Sequence, residues 1–369
     1  MRKSTWVAAI VGLLITAALL LARSCGGDQR DARSTRDPDD KSASDDRSGG
    51  GGGSDLDGVR TTSDDANAAR DESDARDAGQ PHVVFFSPWG GSSLDHLGRE
   101  RPQEGNAIGP MSVAVDSRGR MYVLDEVNGR IVRRGADGKA EAAIPIELRT
   151  PEDMAVANDG SMAVLDRHAG QEVAVYDEAG NLVGEIPLEG VGIEDTGTVT
   201  GVFVDGKDVY VEREHGPLVM VGSTSGVPVD VRSEIPGRPS RDGLSFLKAG
   251  IIDGPGGRAY VSAIDRKSGE HRFTRELRLK AAIHMILLLD SDKSGTIYFA
   301  AEVERDDGQP EVRLSCLEPL KGVVIGGAIL PANTLPEESF RDLVVLDGGG
   351  VIYAIRSEEG VSYERFDCQ

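Results

Sequence analysis

Hydrophobic and polar positions divide the chain into three stretches of different texture. Trp6 to Ala22 is an uncharged apolar run behind Arg2 and Lys3. Residues 26–80 are dominated by Asp, Ser, Arg, Gly and Ala, with one Leu and one Val. From Pro81 onward, apolar and polar residues alternate with period two between Gly, Asp and Asn turns, the pattern of half-buried strands. The expected division is an N-terminal membrane segment over 1–24, a disordered linker over 25–80, and a β-domain over 81–369.

The β-rich part repeats itself. Pro110 to Asp125 lies over Pro151 to Asp166, offset by 41 residues without a gap. Both copies read as strand, Gly turn, strand. A period near 40 with this content indicates a β-propeller or a solenoid. The same hairpin recurs around Tyr122, Ala163, Tyr210, Tyr260, Tyr298 and Tyr353, positions separated by 41, 47, 50, 38 and 55 residues. Tyr suits a half-buried strand, because its ring packs between sheets while its hydroxyl reaches a wet edge. Six units with room for four strands each predict an all-β, six-bladed β-propeller.

The two ends of the β-rich part complement each other. The last repeat runs through Leu343–Asp347, Val351–Ile355 and Val361–Phe366, and stops after three strands. Val83 to Phe86 supplies a further β-stretch. Pairing it with the last repeat would close the ring and remove an open sheet edge.

Val113 to Asp116, Gly119 to Asp125 and Asn128-Gly129-Arg130-Ile131-Val132 resemble the NHL repeat. The second copy keeps Val164-Leu165-Asp166 but has Gln171-Glu172-Val173 where the Asn-x-Arg-Ile strand start would stand. Later copies keep only the hairpin. The resemblance covers roughly 81–369 and implies the propeller fold. It says little about activity, since one fold hosts many functions.

Charge narrows the partners. The 369 residues carry 41 basic and 62 acidic side chains, a formal charge of −21. That balance repels nucleic acid and anionic lipid headgroups, so neither is expected as a partner. The linker alone holds eight basic and fifteen acidic residues and cannot bury enough apolar area to offset ordering. It reads as a flexible spacer spanning about 40 Å on average.

Residues 6–22 would form a helix of about 25 Å, at the short end of what spans a bilayer. Three fates are open: an uncleaved anchor, a cleaved signal, or lipidation of Cys25, whose surroundings resemble a lipobox except for Arg23. The uncleaved anchor is the expectation, with the propeller outside the cytoplasm. The arginines after the helix argue for the opposite orientation. Cys316 and Cys368 could pair in an oxidising compartment, but two buried thiols are expected.

No standard catalytic string is present. Gly222 to Gly226 reads as a hairpin turn. Asp290 to Thr296 resembles half of a calcium loop but ends on Ala301 where a closing Glu would stand, so a β-turn is expected. His284 is expected in the core. Chemistry is most plausible in the loops after the second strand of each blade, which open around the central channel. These contain Glu126, Asp166 and His168, then Glu212, Glu214 and His215, with Asp265-Arg266 in the fourth unit. The first reading is a membrane-tethered binding or scaffold module for a protein or small ligand, without a cofactor. The alternative is a hydrolase or lyase holding a divalent metal on that face, for which carboxylates and imidazoles are suitable ligands. Solvated side chains satisfying loop amides would look the same in sequence.

Overall fold

The computed structural model describes residues 82–369. The expected membrane segment, Cys25 and the expected linker lie outside the described residues. Among the described residues, no helix is long and apolar enough to cross a membrane.

The strands follow the alternation read above. After β1 (His82–Pro88) and the short β2 (Ala107–Ile108), blade 1 holds β3 (Ser112–Val115), β4 (Met121–Asp125), β5 (Arg130–Arg134) and β6 (Ala140–Pro145). Blade 2 holds β7 (Asp153–Val156), β8 (Met162–Asp166), β9 (Glu172–Tyr176) and β10 (Leu182–Pro187). Blade 3 holds β11 (Val199–Asp205), β12 (Asp208–Arg213), β13 (Leu218–Ser223) and β14 (Glu234–Ile235). Blade 4 holds β15 (Arg238–Pro239), β16 (Ser245–Asp253), β17 (Arg258–Asp265) and β18 (His271–Arg278). Blade 5 holds β19 (Ala282–Ser291), β20 (Ile297–Glu304), β21 (Pro310–Leu317) and β22 (Val324–Pro331). After β23 (Glu337–Glu338), blade 6 is built from β24 (Leu343–Val345), β25 (Val351–Arg356) and β26 (Gly360–Phe366).

The expected closure is present. β1 is the outermost strand of blade 6, in the order β1-β26-β25-β24. Phe85 lies opposite Tyr363, and their rings stack at 4.2 Å. Six four-stranded antiparallel sheets therefore make a six-bladed propeller. Cys316 and Cys368 form a disulfide, contrary to the expected pair of thiols. Their sulfurs meet because the residues after β26 run along blade 5, where Gln369 and Gly327 exchange backbone hydrogen bonds.

The turns between the first two strands explain the recurring Asp and Tyr. Asp116 accepts from the backbone amides of Arg118 and Arg120, and its other oxygen takes the Tyr122 hydroxyl at 3.3 Å. Asp292 does the same with Ser294, Thr296 and Tyr298, whose hydroxyl donates at 3.0 Å. The calcium-like string is thus a self-satisfied turn, as expected. Ser223 to Gly226 is a turn too, closed by the Gly226 amide on the Ser223 carbonyl.

Blade 4 departs from the sequence reading. Its inner strand β15 has only two residues and pairs with Leu247 and Phe246. Tyr260 therefore stands on the third strand of its blade, not the second. The Asp265-Arg266 turn consequently lies on the face opposite the loops around Glu126 and Glu212. Arg266 accordingly bonds Asp205, in the first turn of blade 3. The sequence does not mark the phase, because every antiparallel hairpin repeats the same alternation and turn chemistry, and one Tyr does not distinguish the second strand from the third.

The core is divided among the blade boundaries. Separate apolar clusters fill the boundaries 1–2, 2–3, 4–5, 5–6 and 6–1. Among the described residues, no such cluster spans blades 3 and 4. Leu247, Ala249, Val261 and Ala263 of blade 4 all turn towards blade 5. Because β15 is so short, most of the inner edge of β16 is left open to the channel.

Candidate functional site: the channel and the boundary between blades 3 and 4

A cavity of about 860 Å³ occupies the channel and extends into this coreless boundary. Its volume falls within the range of small-molecule sites. Blade 3 contributes Phe203, Glu212 and His215, and blade 4 contributes Arg238, Lys248 and Tyr260. Ile251, Met285 and Ile286 add an apolar wall.

An ion pair bridges the boundary. Arg238 donates to both carboxylate oxygens of Glu212, at 2.8 and 3.0 Å. Burial works to raise the Glu212 pKa, but Arg238 and His215 outweigh it and hold the carboxyl at about 2. Thr200 donates to the same carboxylate at 3.1 Å. The Arg238 guanidinium also lies 4.9 Å from the Phe203 ring, and the Arg341 guanidinium lies 5.0 Å from it. Arg341 is anchored in turn by the buried Asp153 at 2.6 Å. Buried charges need such partners, and planar guanidiniums are suited to stacking on a ring.

Further down the channel, Arg241 bonds Asp290 at 2.7 Å and Asp347 at 3.1 Å, while Lys293 meets Asp347 at 2.6 Å. This cluster ties the β15–β16 turn to blades 5 and 6.

The six sequence candidates do not form one constellation. Only Glu212 and His215 line the cavity, with Nδ1 of His215 3.6 Å from the Glu212 carboxylate. Asp166 is fully buried and accepts from the Thr150 hydroxyl and from the Arg149, Thr150 and Ala169 amides. Those hydrogen bonds lower its pKa against the opposing effect of burial. His168 is exposed and reaches Glu152 at 3.5 Å. Glu214 is exposed in a left-handed turn, with φ of 51°, and does not line the cavity. Glu126 sits in a single 3-10 turn, Glu126–Asn128. Burial, followed by the charges of Glu152 and Glu338, pushes its pKa to about 7. His284 is not a core residue: its ring is partly exposed on the channel wall, 3.2 Å from Glu304. Among the described residues, no three His, Cys, Asp or Glu side chains gather as a metal-binding group.

Sequence reasoning missed Arg238, Arg241 and Arg341. They lie in short segments that read as plain connections between strands. The available signal was an Arg within a short connection, set between Gly237 and Pro239 for Arg238 and directly followed by Asp for Arg241 and Arg341.

No known family model and no curated protein matches the chain. Among solved structures, it is similar to hydrazine synthase of Kuenenia stuttgartiensis, at 16% identity and a TM-score of 0.47, covering 70% of this chain and 78% of that one. It is also similar to a streptogramin B lyase, at 10% identity and 0.40, covering 74% and 98%. A third is virginiamycin B lyase from Staphylococcus aureus, at 10% identity and 0.38, covering 70% and 94%. At these values the likenesses carry no argument about chemistry, and the assignment of the fold rests on the six sheets.

Proposed function

We propose that this propeller is a binding module that takes a small ligand in its channel, presented outside the cytoplasm by a membrane anchor at residues 6–22. The observation that carries the reading is the cavity of about 860 Å³ that occupies the channel and extends into the one blade boundary, among the described residues, without an apolar core. Its walls include Phe203, Ile251, Met285 and Ile286, so a ligand that covers them removes apolar surface from water, which favours binding.

One feature supports the wider setting: the Cys316–Cys368 disulfide suits an oxidising compartment. The likeness to NHL repeats concerns the fold alone and is carried by blade 1, where Asn128 and Arg130 both donate to Asp125 at 2.8 Å.

The test is native mass spectrometry of the full-length protein after exposure to a pool of small metabolites. The reading expects a retained mass with wild type and its loss in Met285→Trp, which plugs the channel from an exposed position. Retention of the same masses by both proteins would place binding elsewhere and overturn the reading.

A further inference from the structure

We infer that the boundary between blades 3 and 4 selects an anionic small molecule with a flat apolar body, a claim that rests on the channel-binding reading above. The starting point is the arrangement of charge. The cavity is lined by five Lys or Arg and four Asp or Glu side chains, in a protein whose formal charge is −21. Glu212, Asp290 and Asp347 are neutralised by Arg238, Arg241 and Lys293. Asp205 is neutralised by Arg266, and Arg341 by Asp153. Lys248 remains. Among the described residues, its side chain enters no ion pair or hydrogen bond, and it is exposed on the cavity wall.

A second donor stands beside it. Gly250 pairs with Tyr260 across β16 and β17, and Lys248 pairs with Ser262. Residues two apart share a face of a strand, so Lys248, Gly250 and Tyr260 all face blade 3. Diagonal neighbours of this kind lie within reach of long side chains. Among the described residues, the Tyr260 hydroxyl also has no hydrogen-bond partner. An ammonium and a phenol converging from one sheet face match a carboxylate or sulfonate, which accepts from both.

The body of the ligand is set by the same face. The Tyr260 ring lies against Gly250, where an added Cβ would sit 2.6 Å from Cε1 of Tyr260. The absent side chain lets the ring lie flat along the strand and present its outer face to the cavity. Across the gap stands Phe203, held by two guanidiniums. With the Phe203 ring already overlain by these guanidiniums, a planar apolar group would stack on the Tyr260 ring alone. A cation in the same place would face the unpaired Lys248 ammonium, the arginines nearby being already matched by Glu212 and Asp153.

Equilibrium dialysis of 2-naphthoate, 2-naphthalenemethanol and 2-naphthylmethylamine against the full-length protein separates the claims. The inference expects one naphthoate per chain, bound at least tenfold more tightly than the alcohol, and no binding of the amine. Lys248→Met should erase the preference for naphthoate over the alcohol while leaving alcohol binding intact. Tyr260→Ala should weaken both. Equal binding of all three probes would overturn the anionic selectivity and leave the channel-binding reading standing. Binding of naphthoate unchanged by Lys248→Met and Tyr260→Ala would overturn the site itself. Binding of none of the probes would overturn this ligand class, while a metabolite retained in the mass-spectrometric test would still uphold a channel site.

Discussion

Arg238 of blade 4 donates two hydrogen bonds to Glu212 of blade 3, and this pair bridges the blade boundary that lacks an apolar core. Breaking it by removing one partner leaves a charge with little compensation. Glu212→Gln is expected to lower stability by about 2–4 kcal/mol at neutral pH. The comparison is Lys139→Ala, which breaks a solvent-exposed pair with Asp137 and should shift stability far less. Urea unfolding measures both. Equal effects would mean that the boundary is held by something other than this pair.

The same carboxylate gives the ring an acid limit. Its pKa is about 2 when folded, against an ordinary 4.5. The stabilisation is therefore complete above the unfolded value and is lost as pH falls from about 4.5 towards 2. Thermal melts of wild type and Glu212→Gln should converge over that interval. Parallel curves down to pH 2.5 would contradict the assignment.

Glu126 works in the opposite direction. Burial and neighbouring carboxylates raise its pKa from 4.5 to about 7. Between these values the folded state binds more protons than the unfolded one, so stability falls as pH rises through that range. Glu126→Gln should stabilise the protein above pH 7 by on the order of 2 kcal/mol, after allowance for solvent screening, and have little effect near pH 4. Melting curves at pH 4 and pH 8 test the sign. A loss of stability at pH 8 would show that the charged form has a partner.

The fold was legible where physics repeats. Period-two alternation, Gly turns and the three-strand final repeat were sufficient for six blades and for closure through Val83–Phe86. The phase of blade 4 was not legible, because Arg258-Ala259-Tyr260-Val261 has the same local signals as a second strand. Of the candidate residues read from the sequence, Glu212 and His215 are the two that line the channel cavity. Their partner Arg238 comes from a two-residue strand without periodicity, and the meaning of Lys248 depends on which groups lack a partner in three dimensions.

Closure can be tested at a single ring. Phe85 is buried, stacked on Tyr363, with the Arg134 guanidinium 4.5 Å from its centre. Phe85→Ala should cost about 3–5 kcal/mol and act on the whole ring, since it loosens the strand that joins the two ends. Hydrogen exchange would then rise in blades 1 and 6 together. A rise confined to β1 would mean that the ring does not depend on this strand.

The disulfide closes a loop with a sequence separation of 52 residues. Chain entropy alone assigns such a link about 4 kcal/mol. The Cys316→Ala, Cys368→Ala double variant should melt well below the wild type, and reduction of the wild type should reproduce the shift. In intact cells both thiols should resist maleimide until a reductant is added. Free thiols in cells would contradict the exported setting.

The most direct test of the channel as a ligand site is hydrogen exchange of the full-length protein with and without saturating 2-naphthoate. The account predicts protection concentrated in 200–206 of blade 3 and 245–251 of blade 4, with the other five blade boundaries unchanged. Protection at a different boundary, or none at saturation, would contradict it.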